Sequence, residues 1–249
     1  MSIAEQAAGI GGLADPVRRE LYELVSAQPD PISRESAAEA LGLPAHVVRF
    51  QLDRLVALGL LEVEFRRLSG RTGPGAGRPS KLYRRAAETI SVSLPERRFD
   101  LAGHLLARAI ERSGDGSPVA DALRDVAFEE GVEFGVSSRA AAIPEASEPA
   151  AEGEDPVPAQ AELGALGRAL AGQGYEPRES DDVLLLANCP FDALARAHTD
   201  LVCGMNHAYV EGVVEGLGCQ ALDAELLPAD GRCCVVVHAQ AMREDPPVR

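Results

Sequence analysis

Five cysteines are the residues of this chain best suited to do chemistry, and Cys189, Cys203, Cys219, Cys233 and Cys234 all lie in its last quarter. An odd number of cysteines in a sequence that opens on no signal peptide argues against a disulfide framework and for reduced thiols. Clustered thiols are candidate metal ligands. Up to Cys233 the intervals hold 13, 15 and 13 residues and no C-x-x-C pair, so a zinc ribbon or knuckle does not fit. His207 follows Cys203 at i+4, on the same face of any helix that carries both. Other uses of the thiols stand beside a ligand role: a dry aliphatic core that contains cysteine, bound zinc, or a redox switch. A thiol enzyme would pair Cys189 or Cys203 with His198 or His207, but no nucleophile elbow or oriented triad accompanies them. His104, His198 and His238 have no spacing that compels a role.

A second set of residues suits nucleic acid. On a helix over residues 45–58, Val48, Leu52 and Leu55 share one face and leave His46, Arg49, Phe50, Asp53 and Arg54 on the other. Arg49 has the donors to read guanine, and Phe50 can meet a thymine methyl. Downstream, Arg66, Arg67, Arg71, Arg78, Lys81, Arg84 and Arg85 form a run of seven basic residues without an acidic one. Such a run on a flexible loop is suited to phosphates or a minor groove. Gly77-Arg78-Pro79 also resembles the core of an AT-hook.

The elements that must position these side chains can be read from local signals. Ser33 caps a first helix, Gly42 stops it, and Pro44 presets the start of the second, which Gly59 ends. Leu61, Val63 and Phe65 alternate with Glu62, Glu64 and Arg66, so residues 60–67 read as a strand and 81–85 as its return. A glycine- and proline-rich loop joins them. Helix, turn, helix and basic hairpin together make a winged helix-turn-helix over residues 14–90, buttressed by an amphipathic helix from Asp15 to Gln28. Residues 1–13 read as a frayed arm or a short dimer-contact helix.

After the wing, Ser93 caps a helix carrying Leu101, Leu105 and Ala109, and a second helix covers about 119–135. Residues 94–137 are thus a helical connector suited to a two-fold interface. Residues 138–160, rich in alanine, proline and glutamate, read as a disordered insertion. Residues 161–241 form a small α/β sensor module: a helix over 161–171, a strand over 182–188, a long helix over 190–217, and strands over 219–227 and 232–240. On a strand, Cys233 and Cys234 would face opposite ways, so only one would reach a shared site. Pro190 would start a helix beside Cys189 and lower its thiol pKa. The fold class expected is α+β, with an N-terminal winged helix-turn-helix, central helices and a C-terminal α/β module.

The segment LGLPAHVVRFQLDRLVALGLLE, followed by GAGRPSKLYRR, resembles the ArsR-type winged-helix regulators, in the branch that contains the SufR-type iron-sulfur repressors. Gln51 stands where related sequences usually carry histidine, which bears on base contacts rather than docking. CPFDALARAHTDLVC resembles the first cysteine pair of that branch, with one more intervening residue. The resemblance implies a homodimeric DNA-binding repressor with an iron-sulfur cluster on Cys189, Cys203 and Cys233 or Cys234. Its fourth ligand would come from Cys219, the remaining cysteine of the pair, or His207. It extends the nucleic-acid set to His46, Arg49, Phe50, Gln51, Arg54, Arg71, Arg78 and Lys81. A regulator that senses a small organic ligand without metal is the alternative.

Composition constrains these readings. The 249 residues carry a net charge of −15, which would oppose DNA if it were evenly spread. It is not: residues 1–100 hold 14 basic and 13 acidic side chains, and residues 101–249 hold 10 and 26. Screening over about 8 Å at physiological salt lets a local basic wing act beside an acidic body. Hydrophobic residues are 46% of the chain and aromatic ones 4%, so the core is aliphatic. No apolar run is long enough to span a bilayer, and a cytoplasmic location is expected.

Overall fold

The computed structural model describes residues 3–67, 79–142 and 158–240, and divides into two units, Met1–Val92 and Ser93–Arg249. Arg71, Arg78 and most of the proposed wing loop lie outside the described residues, as do positions 143–157 of the alanine- and proline-rich segment.

In the first unit, α1 (Ile3–Gly12) precedes α2 (Pro16–Ser26), whose N-cap Asp15 accepts from the Arg18 N–H at 3.0 Å. Strand β1 (Ile32–Ser33) leads into α3 (Arg34–Leu41), where the Ser33 hydroxyl accepts from the Ser36 N–H. Gly42 closes α3 at φ +64°, a conformation that costs glycine little and other residues more, and α4 (Ala45–Ala57) begins immediately after Pro44. Strands β2 (Leu61–Arg66) and β3 (Ser80–Arg85) pair antiparallel from Leu61 opposite Arg85 to Arg66 opposite Ser80. The sheet order is β1-β3-β2. Leu21, Val25, Ala37, Val48, Leu52, Leu55 and Tyr83 form the core beneath α4. That core fixes which side of α4 faces out.

Two details depart from the sequence reading. Strand β1 is too short to show a period of two, yet it pairs Ile32 with Tyr83 and Ser33 with Leu82. Phe65 continues the alternation of Leu61 and Val63 but is 66% exposed, because the core ends before it.

In the second unit, α5 (Phe99–Arg112) runs through a short 3₁₀ turn (Ser113–Asp115) to α6 (Val119–Ala142), and Arg108 and Arg112 pair with Glu129 and Glu130 across them. Helix α7 (Ala159–Ala171) follows, then β4 (Pro177–Ser180), β5 (Val183–Leu186), α8 (Asp192–Ala197), α9 (Thr199–Leu217), β6 (Leu222–Leu226) and β7 (Val235–Ala239). The four strands form an antiparallel sheet in the order β4-β5-β7-β6.

Several boundaries move. The expected helix over 190–217 is two helices, broken at His198, whose φ of −140° and ψ of 57° are not helical. Helix α6 runs seven residues past 135 and takes in positions 138–142, which had been read as part of a disordered insertion. Strand β7 starts at Val235, so Cys233 and Cys234 precede it. Residues 94–137 and 161–241 share one hydrophobic core, from Leu101, Leu105 and Leu123 to Leu166, Leu184, Val213 and Val237. The central helices are thus part of the same body as the sheet.

Helices α6 and α9 run side by side in one direction with their backbones in contact. A Cβ on Gly131 or Gly135 would collide with the carbonyl oxygen of Tyr209 or Val213, and one on Gly212 or Gly216 with that of Phe128 or Val132. Each helix carries a G-x-x-x-G pair on the shared line. Dispersion between backbones at this separation replaces side-chain packing. Among the described residues no helix is long and apolar enough to cross a membrane.

Candidate functional site

On the first unit, the outer side of α4 presents His46, Arg49, Phe50 and Arg54 to solvent, with Phe50 68% exposed. Among the described residues, Arg49, Arg54 and Arg67 make no ion pair. Their charge is therefore free to meet an anion. Gln51 is placed differently: it is half-buried, and its Oε1 is buried without a hydrogen-bond partner. Its turn of the helix faces the domain rather than the outer side.

Lys81 is not free either. Its Nζ lies 2.5 Å from Asp53 Oδ1 on α4, and the Tyr83 hydroxyl donates to the same oxygen at 3.0 Å. Partial burial raises the Asp53 carboxyl, but the hydrogen bonds from Lys81 and Tyr83 outweigh it and hold the carboxyl below its ordinary range. The sequence places Asp53 on the exposed face with His46, Arg49, Phe50 and Arg54; in the structure it pins the hairpin to α4. Arg84 and Arg66 are engaged with Glu62 and Glu64 at 3.0 and 3.5 Å. Arg34, Arg49, Phe65 and Lys81 line one depression between α4 and the hairpin.

Replacing Asp53 by alanine should remove the acceptor that Tyr83 and Lys81 share and lower unfolding stability by about 1–2 kcal/mol, measurable by chemical denaturation. The same link sets a pH dependence. The Asp53 pKa is lowered on folding, so its contribution is complete above the unfolded value near pH ~3.9 and is lost as pH falls through the lower folded value.

On the second unit, four of the five cysteines converge. Cys189 lies in the irregular loop between β5 and α8, Cys203 in the second turn of α9, and Cys233 and Cys234 in the bend before β7. The side chains of Cys189 and Cys234 both hydrogen-bond to Cys233, and Cys234 also to Cys203. Because the pair precedes the strand, the alternation rule does not separate them, and both enter the same site. Hydrogen bonds from Cys189, then Cys234, hold the Cys233 thiol far below its ordinary range against its burial. The Val235 N–H and the Asn206 amide, 3.1 Å from Sγ, add to this. As donors to that sulfur, Cys189 and Cys234 are pushed up, with burial adding to both. Of these three thiols, Cys233 is the one most readily ionised. The expected lowering of Cys189 by a helix start at Pro190 is not found, since α8 begins only at Asp192.

Cys219 and His207 are elsewhere. Burial raises the Cys219 thiol to about 12, and its charged neighbours are Glu162 and Arg139. His207 Nε2 lies 2.9 Å from the Ala224 carbonyl oxygen and Nδ1 3.2 Å from Glu211, so its ring is turned to β6. His198 is exposed. Neither histidine is paired with a thiol as an enzyme would require.

Residues that the sequence reading passed over complete the site. Buried Tyr175 donates its hydroxyl to Asn206 Oδ1 at 2.5 Å, which turns the Asn206 amide nitrogen toward Cys233. Arg97 donates to Asn188 Oδ1 at 2.5 Å and to the Cys189 carbonyl at 2.9 Å. A cavity of about 680 Å³ opens onto Cys189, Cys203 and Cys234, with Arg97, Arg196 and Arg232 among its walls. Among the described residues, no group of three or more histidine, cysteine, aspartate or glutamate side chains is preset to hold a metal ion. All five cysteines are free thiols.

No curated protein and no solved structure matches this chain significantly. The sequence family described as a helix-turn-helix domain matches residues 13–64, from just before α2 into β2. That stretch contains α2, α3, α4 and their shared core, with the exposed arginines of α4 on its surface. The chain therefore carries a helix-turn-helix domain, the mark of a DNA-binding regulator.

Proposed function

We propose that this protein is a homodimeric repressor whose grip on DNA is set by an iron-sulfur cluster held by Cys189, Cys203, Cys233 and Cys234. The observation that carries the proposal is the meeting of four thiols from three separated stretches of chain in a unit joined to a helix-turn-helix domain. An all-sulfur donor set suits iron-sulfur ligation. Such a cluster supplies one-electron chemistry and sensitivity to oxidants when bound.

The chain's own residues do the rest. Cys233 is the most readily ionised donor, and the Asn206 amide, fixed by Tyr175, gives its sulfur a hydrogen bond of defined direction. Arg196 and Arg232 add positive charge near the sulfurs. In the first unit Arg49 and Arg54 meet the groove, Phe50 meets a base, and the hairpin held by Asp53 carries the wing arginines to phosphates. A dimer would present two copies of α4 to a pseudo-palindromic site. Exposed Ile110 on α5 and Val136 on α6 are apolar surface available for such an interface.

Anaerobically purified protein should contain iron and acid-labile sulfide and absorb visible light, and exposure to oxygen should bleach it. Colourless protein without iron would reject the cluster. The cavity beside the cysteines, lined by Arg97, Arg196 and Arg232 and by Asp192 and Asp230, supports a second reading, a small organic ligand received without metal. Protein that is iron-free but changes its DNA affinity with such a ligand would favour that reading.

A further inference from the structure

We infer that Arg97 and Asn188 are positioning residues that pass the state of the cysteine site to the chain entering the DNA-binding unit; this rests on the proposed cluster control. Residues 91–98 have no helix or strand of their own, and neither do residues 187–191, which carry Cys189. Among the bonds that hold them are several to each other. Arg97 Nη1 donates to Asn188 Oδ1 at 2.5 Å and to the Cys189 carbonyl at 2.9 Å, and its Nη2 lies 3.6 Å from Asp192. The Arg98 N–H donates to the Pro190 carbonyl at 3.1 Å. In return, Asn188 Nδ2 donates to the Glu96 carbonyl at 3.1 Å and to the Gly174 carbonyl at 2.5 Å.

Asn188 is 7% exposed, and its amide has both its oxygen and its nitrogen occupied by this network. A buried amide of this kind is tolerated only while its partners stay in place. When the sulfur of Cys189 exchanges a neighbouring thiol for another partner, the backbone of residues 188–190 has to adjust. The carbonyls of Cys189 and Pro190 are the acceptors that hold Arg97 and Arg98, so the adjustment is felt five to six residues after Val92, where the DNA-binding unit ends. A polar network that joins the cysteine loop at one end to the segment after Val92 at the other can carry a coupled switch.

The test uses full-length protein purified anaerobically, and a duplex selected from a random library for binding by the wild type. DNA affinity is measured with the cluster present and after its removal by chelator, for wild type, Arg97→Gln and Asn188→Ala. Iron and sulfide are assayed in each. For the wild type the two affinities should differ by about tenfold or more. In both variants iron and sulfide should be retained while the ratio falls to about one. A merely structural role would lower the melting temperature and leave the ratio intact. A wild-type ratio kept by either iron-loaded variant overturns the inference. Loss of iron from both also overturns it, since the bonds would then serve to hold the loop for ligation. Iron-loaded wild type with a ratio of one rejects cluster control itself, and the inference with it.

Discussion

Replacing Gly212 by alanine is expected to cost the second unit about 3 kcal/mol or more, and to lower its melting temperature by roughly 6–12 °C. The added methyl would overlap the Phe128 carbonyl oxygen and lie 2.9 Å from the Phe128 carbonyl carbon and 3.0 Å from the Val132 nitrogen. All three are main-chain atoms of α6, so no side chain can turn aside. The two helices would have to part along a line that also holds Gly131, Gly135 and Gly216. Parting them would loosen Tyr209, Val210 and Val213, which pack in the same core as the cysteines. The control is Gly204→Ala on the same helix. A Cβ there meets nothing within 4 Å, so alanine should be neutral or slightly stabilising through its better helix propensity. Calorimetry or circular dichroism on the two variants decides it; equal melting temperatures would show that α6 and α9 do not touch as described.

The second large effect is expected at Cys233. It is the sulfur that Cys189, Cys234 and Asn206 all address, so Cys233→Ser should abolish the iron and visible absorbance of anaerobically purified protein while the fold, read by circular dichroism, remains. Cys234→Ser should have a similar effect, because Cys234 bonds to both Cys233 and Cys203. Cys219→Ser should keep its iron, since Cys219 stands with Glu162 and Arg139 away from the other four. Iron lost from the Cys219 variant and kept by the Cys234 variant would mean that the thiols regroup, and the four-cysteine assignment would be wrong.

The helix-turn-helix was legible because its signals are local. Ser33, Gly42 and Pro44 each act on their own neighbourhood, and the apolar spacing of Val48, Leu52 and Leu55 alone determines which side of α4 is outward. The second unit was less legible because its decisive relations are between distant residues. Strand β4 is four residues long and mostly exposed, and its turn uses Asp181 at φ 47° rather than an Asn-Gly pair. The break at His198 has no proline or glycine to announce it. The close approach of the α6 and α9 glycines depends on a partner helix about 80 positions away, which no local signal announces.

The cysteine site was half legible. Clustering in the last quarter pointed to a shared role, and Cys189, Cys203 and one of the final pair were expected together on the family resemblance. Whether Cys233 and Cys234 both take part depended on where β7 begins, and a shift of a few residues at a strand end reverses an alternation argument. The role of Asp53, and Asn206 and Asn188 altogether, were missed for one reason. A single polar residue has no sequence pattern, and its meaning lies in a partner 28, 27 or 91 positions away.

The central claim is that the outer side of α4 and its basic hairpin hold duplex DNA, and the most direct measurement is fluorescence anisotropy of a mixed-sequence duplex titrated with full-length protein over a range of salt. The triple variant Arg49→Gln, Arg54→Gln, Arg67→Gln should bind at least about tenfold more weakly at low salt, with a slope of log affinity against log salt reduced by about three. Wild type and variant giving the same affinity and the same slope would contradict the account.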